Sequence, residues 1–186
     1  MFFGLFGKEK SNDFHKKFTN IIYSSNLAKQ NGIVKYAQEN TDCVFIAWFN
    51  NTAVNFRKEF LANHLKEDRI VESKNFSAAK YQNQKITFLE HFPLRAKEEA
   101  LVQNCIQTEF IFFNALTEPI FQYFGSDRII ELMSKMGHKD DETIEHKMID
   151  DSLLKAQQKI SEKIQFESHV FASQADWMLV NVGSVI

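Results

Sequence analysis

At 186 residues the chain is long enough for one domain at roughly 100 to 200 residues each, and its 44% apolar, 25% charged composition is that of a folded protein needing no disulfide staples. With 22 basic residues against 24 acidic ones, the net charge of -2 offers no basic stripe to a nucleic-acid backbone and disfavours nucleic acid as a partner. Six glycines and two prolines leave few places for sharp turns, which argues against a many-stranded barrel or sandwich built on tight hairpins and points to helices as the main element.

The first residues, MFFGLFGKEK, stop being apolar at Phe6 and lack the long apolar region of a secretory signal, so a cytoplasmic protein is expected. Residues 1–12 read as a flexible N-terminus. Phe2, Phe3, Leu5 and Phe6, followed by Lys8 and Lys10, give at most a weak peripheral contact with an anionic bilayer. Nowhere do 18 apolar residues run without interruption, so no membrane span is expected.

From Asp13 to about Gln30 the residues Phe14, Phe18, Ile21, Ile22, Leu27 and Ala28 recur at helical spacing, which predicts an opening helix interrupted at Gly32. The run CVFIAWF, Cys43 to Phe49, shows no alternation and predicts a central parallel strand buried on both faces. Asn50, Asn51 and Thr52 then offer capping side chains to a helix striped by Ala53, Val54, Phe56, Phe60, Leu61 and Leu65. A weak strand at Arg69 to Glu72, a short helix near Ser77 to Tyr81 and a strand from Lys85 to His91 follow. Pro93 opens the next helix, Glu109 to Phe113 form a further strand, and Thr117 with Pro119 starts another helix.

After Gly125 the strand signals stop. Ser126 or Asp127 caps RIIELMSKM, Gly137 ends it, and a long helix starting near Thr143 carries Ile144, Met148, Ile149, Leu153, Ala156, Ile160 and Ile164, with a continuation toward Phe171. The fold class predicted is α/β, a three-layer mostly parallel sheet of about four strands over 13–125, with 126–186 as a helical C-terminal arm packed on it.

Chemistry-bearing motifs are scarce. Gly4, Gly7 and Lys8 mimic the end of a phosphate-binding loop, but the spacing is wrong and no strand precedes them. Only four arginines exist (Arg57, Arg69, Arg95 and Arg128), and Cys43 and Cys105 read as reduced core residues. In HKDDETIEH, Glu142 and His146 stand one helical turn apart, so metal binding is conceivable, yet the acids equally suit a helix N-terminus. Glu90, His91 and Arg95 fall at the carboxyl end of a predicted parallel strand, where open α/β sheets place ligands, and Asn50, Asn51 and Thr52 join them as candidate ligand-binding residues.

One stretch carries a resemblance. Ser126-Asp127-Arg128, Met133 to Gly137, Ile144-Glu145-His146 and Ala156-Gln157 match, in order and spacing, a segment of the SecA preprotein translocase motor. That segment leads from SecA's second nucleotide-binding, RecA-like fold into its long scaffold helix. The resemblance runs from Phe121 through Ile160 and implies a RecA-like domain related to protein export. It departs where SecA carries a Gly-Arg-x-Gly-Arg motif, because HFPLRAKEEALVQNCIQ has no glycine and Arg95 as its only arginine. The first fold, with its phosphate loop and metal-holding acids, has no counterpart.

The expectation is therefore a non-catalytic SecA-like binding or adaptor module without a cofactor. Its partner is another protein or a second copy, and Ile149, Leu153, Ala156, Ile160 and Ile164 are the candidate interface. The alternative is a small-ligand enzyme or sensor using the carboxyl edge of the sheet.

Overall fold

A computed structural model describes residues 16–139 and 142–183. Phe2, Phe3, Leu5 and Phe6, and with them the proposed flexible segment 1–12, lie outside the described residues. Among the described residues five parallel strands, β1 (Lys17–Tyr23), β2 (Cys43–Ala47), β3 (Ile70–Glu72), β4 (Lys85–Phe88) and β5 (Glu109–Ala115), form one sheet in the order β1-β5-β4-β2-β3. The class is α/β, a RecA-like three-layer arrangement, with one strand more than the sequence suggested.

The layers follow from the direction of the crossovers. α1 (Asn26–Glu39) and α2 (Asn50–Ala62) each lead toward the β3 edge, whereas α3 (Arg95–Val102) leads back from β4 to β5, so right-handed connections place them on opposite faces. Two cores result. One joins Ala28, Ile33 and Ala37 of α1 and Ala53, Phe56 and Phe60 of α2 to Phe45, Ala47 and Phe113. The other joins Val44, Ile46, Phe88, Phe110 and Phe112 to Val102 and to the later helices α4 (Pro119–Gln122), α6 (Lys147–Lys163) and α7 (Gln174–Val182). β2 is buried along its whole length on both sides, as its unbroken apolar run requires.

The opening helix is a correction. Phe18, Ile21 and Ile22 belong to β1, which pairs with β5 over its full seven residues, and the helix starts only after Ser25, whose hydroxyl accepts from the Ala28 amide. Those apolar positions fit a period of 3.6 by coincidence; ladder pairing with β5 decides the outcome. Gly32 does not interrupt α1 either. The Tyr23 ring lies so close that a Cβ at position 32 would stand 2.0 Å from its hydroxyl oxygen. Ser77 to Tyr81 form turns rather than a helix.

Beyond β5, α5 (Asp127–Lys135) ends at Gly137 with φ of 77°. The long helix begins later than predicted. Ile144 pairs with the outer edge of β1, its amide donating to Ile22 O at 2.8 Å, and His146 caps α6 by accepting from the Met148 amide. α6 stops at Lys163, and residues 164–173 cross to α7 without regular structure. Among the described residues no helix is long and apolar enough to cross a membrane.

Candidate functional site

Because every strand is parallel, all their carboxyl ends share one edge, and neighbouring β2 and β4 send their chains to opposite faces there. Such a reversal opens a crevice at the edge of an α/β sheet. Glu90 leaves β4 at that point and turns toward α2. One carboxylate oxygen accepts from the amides of Trp48 (3.1 Å) and Phe49 (3.2 Å), and the other from the Thr52 hydroxyl (2.7 Å). The expected capping by Asn50 and Asn51 does not occur: both side chains are exposed, and Glu90 caps α2 from across the edge.

The next two amides are also taken. Asn50 N donates to Phe171 O at 2.8 Å and Asn51 N to Ala172 O at 3.0 Å. Gln174 completes the closure, its amide nitrogen donating to His91 O and its oxygen accepting from Ile120 N. Four successive N–H groups, Trp48 to Asn51, the usual place for an anion at a helix start, are thus bound by the chain's own acceptors. Burial pushes the Glu90 carboxyl up to about 7; nearby Lys29 and the Thr52 hydroxyl oppose the shift, and the Glu118 charge adds to it.

His91 goes the other way. Its ring stacks on Phe112 with centroids 4.2 Å apart, Nδ1 lies 2.7 Å from Glu98 Oε1 and Nε2 lies 2.7 Å from Asn20 Oδ1. Glu98, with no exposed surface, also accepts from Phe92 N (2.8 Å) and from Gln157 Nε2 (3.1 Å), and Asn20 donates to Asp150. This network joins β1, the end of β4, α3 and α6, buried at His91, Glu98 and Gln157 and half-buried at Asn20 and Asp150. Arg95 does not reach Glu90: its guanidinium lies 3.7 Å from the centre of the Phe18 ring, pairs with Glu99 at 2.9 Å and stands 3.7 Å from Glu98 Oε2 at the rim of the His91 network. The structure therefore assembles Thr52 with Glu90 and separates His91 and Arg95 from them.

Lys29, Glu118, Glu98, Gln157 and Gln174 were not among the sequence candidates. Lys29 forms a buried ion pair with Glu118 from the turn before α4. A signal existed in part: Lys29 heads the buried i, i+4, i+8 row with Ile33 and Ala37, and Gln157 follows Leu153 by one turn within the α6 stripe. Glu118 and Gln174 come together with this edge only through the fold.

Of the α6 stripe, Ile149, Leu153, Ala156 and Ile160 are buried against the chain's own sheet layer, and half-buried Ile164 packs beside them. Glu142 and His146 do not share a helix. His138 lies 3.3 Å from Glu142, His146 is a cap, and among the described residues no group of three metal-ligating side chains forms. Cys43 is a buried thiol pushed up to about 11, chiefly by burial.

No protein-family profile matches the chain. Over 55 residues, 30% of this chain, it is 42% identical to the protein translocase subunit SecA of Chlorobium phaeovibrioides and to that of Chlorobium luteolum, and 44% identical to that of Chlorobaculum tepidum. The match spans 5% of the length of each of those relatives, so what is shared is a SecA-related segment.

Proposed function

We propose that the protein is a non-catalytic SecA-like binding module, an adaptor related to protein translocation and working in the cytoplasm. The observation that supports the non-catalytic part most directly is the closure of the Trp48–Asn51 amides by Glu90, Phe171 O and Ala172 O. A phosphoryl-transfer site needs a cradle of free donors, a metal-holding acid and a group that positions water. Here the helix start that would receive phosphate faces a carboxylate, and a second carboxylate, Glu118, stands near it. The SecA-related segment supports the link to translocation.

The partner in this reading is another protein or a second copy. Exposed apolar residues suit that role, among them Leu132 and Met136 in and just after α5, a helix with no fully buried residue, and Leu179 and Val180 on α7. Calorimetric titration of the full chain with Mg-ATP should give no micromolar binding, and affinity capture from cytosol and membrane fractions should enrich components of the translocation machinery. A micromolar Mg-ATP isotherm would refute the non-catalytic reading. Capture that contains no translocation component would refute the adaptor reading.

A further inference from the structure

A crevice of about 300 Å³ opens at the carboxyl edge between α1, α2 and the chain entering α7, at the lower end of the size range of small-molecule sites. Lys29, Glu90, Glu118 and Gln174 line it, and each is more than nine-tenths buried, while Asn55 and Ser173 stand at its wall and mouth. This is where β2 and β4 diverge, the position at which open α/β sheets receive ligands. From these residues we infer that the crevice binds a small primary amine, its ammonium group held by the Glu118 and Glu90 carboxylates.

The acceptors outnumber the donors. Glu118 Oε1 takes the Lys29 ammonium, but Glu118 Oε2 is buried and has no hydrogen-bond partner among the described residues. A buried carboxylate oxygen left unpaired costs about 1–3 kcal/mol, so the site calls for a donor. Charge selects the kind of donor. The charged groups facing the crevice are Lys29 from α1, Glu90 after β4 and Glu118 before α4; α2 contributes Thr52 and Asn55 and the α7 side Ser173 and Gln174, all neutral. Once Glu90 is ionised, two carboxylates stand against one ammonium, which favours a cation and repels an anion. An ammonium bears three donors on a compact head and can answer both the lone oxygen and the surplus charge. The amides of Asn26, Gln30 and Asn55 around it suit a hydroxyl or second amine on a short chain.

Cation binding also couples to protons. An ammonium beside Glu90 favours its ionised form, so binding releases a proton and strengthens as pH rises through the range in which Glu90 ionises. The inference is independent of the relation to translocation.

The test uses the full chain, with ethanolamine and putrescine as probes and inorganic phosphate as the opposite charge, read by amide NMR. Either amine should shift the side-chain amides of Asn26, Asn55 and Gln174 saturably at millimolar concentration, and phosphate should not. Glu118→Gln should weaken amine binding by about tenfold or more, the worth of one charge-assisted hydrogen bond. Since that change touches a buried ion pair, the exposed Asn55 provides a second arm that leaves the core alone. Asn55→Lys should weaken amine binding and Asn55→Asp should tighten it. Absence of saturable shifts with both amines, a stronger response to phosphate, or equal affinities in the two Asn55 variants would overturn the inference.

Discussion

Glu90 is a carboxyl group whose folded-state pKa is raised from 4.5 to about 7 by burial. The folded state therefore holds more protons than the unfolded chain between those values, and its contribution to stability falls as pH rises through that window. Urea denaturation at pH 5 and pH 8 should show the wild type losing stability relative to Glu90→Gln as pH increases; an unchanged difference would show that the cap titrates normally. Glu98 fails differently. Removing it leaves His91, the Phe92 amide and Gln157 Nε2 short of an acceptor in a closed core, and Glu98→Ala should cost about 3–5 kcal/mol in the same assay. Sequence reading placed Glu90 at the right edge because a strand's carboxyl end can be recognised from its apolar run. It grouped His91 and Arg95 with Glu90 because proximity in sequence says nothing about which side of a departing chain each residue takes.

At the scale of elements, the legible parts were those that bury both faces or carry strong punctuation: β2, the Pro119 start of α4 and the Gly137 end of α5. β1 was misread because it is an edge strand with an exposed start, so only Ile22 and Tyr23 are fully buried and no clean alternation survives. The break between α6 and α7 was hidden too, since residues 164–173 contain neither Pro nor Gly. Gly32 illustrates an element held by a neighbour. In an isolated helix Gly→Ala gains about 1 kcal/mol, yet here the added Cβ meets the buried Tyr23 ring. Gly32→Ala should destabilise the protein by about 1–3 kcal/mol, an overpacking cost, and the sign should reverse in a Tyr23→Ala background. Equal effects in both backgrounds, measured by denaturant midpoints, would remove Tyr23 as the cause.

For the whole molecule, the question is whether the helices after β5 are an appendage or half of a layer. Sequence alone left two outcomes for the stripe on α6, back-folding onto the sheet or sharing with another chain. In the structure Ile149, Leu153, Ala156 and Ile160 of α6 and Trp177 and Met178 of α7 are fully buried, and most of them join the core that covers Phe88, Phe110 and Phe112. Polar ties reinforce the contact at three separate places: Gln157 to Phe92 O, Asp150 to Asn20, and Gln174 to His91 O. Burying a large apolar side chain is worth about 1.5–3 kcal/mol, and a typical domain has only about 5–15 kcal/mol of net stability. A chain ending at Asp141 loses several such residues together and also uncovers the part of one sheet face that α6 and α7 cover. It should therefore fail to fold as a unit, losing its cooperative thermal transition by circular dichroism and forming large particles by light scattering, while the full chain melts in one step. A truncated chain that keeps a cooperative transition at an unchanged midpoint would show that β1 to β5 with α1 to α5 carry their own core, and that the closure of the carboxyl edge by Phe171, Ala172 and Gln174 is dispensable to the fold.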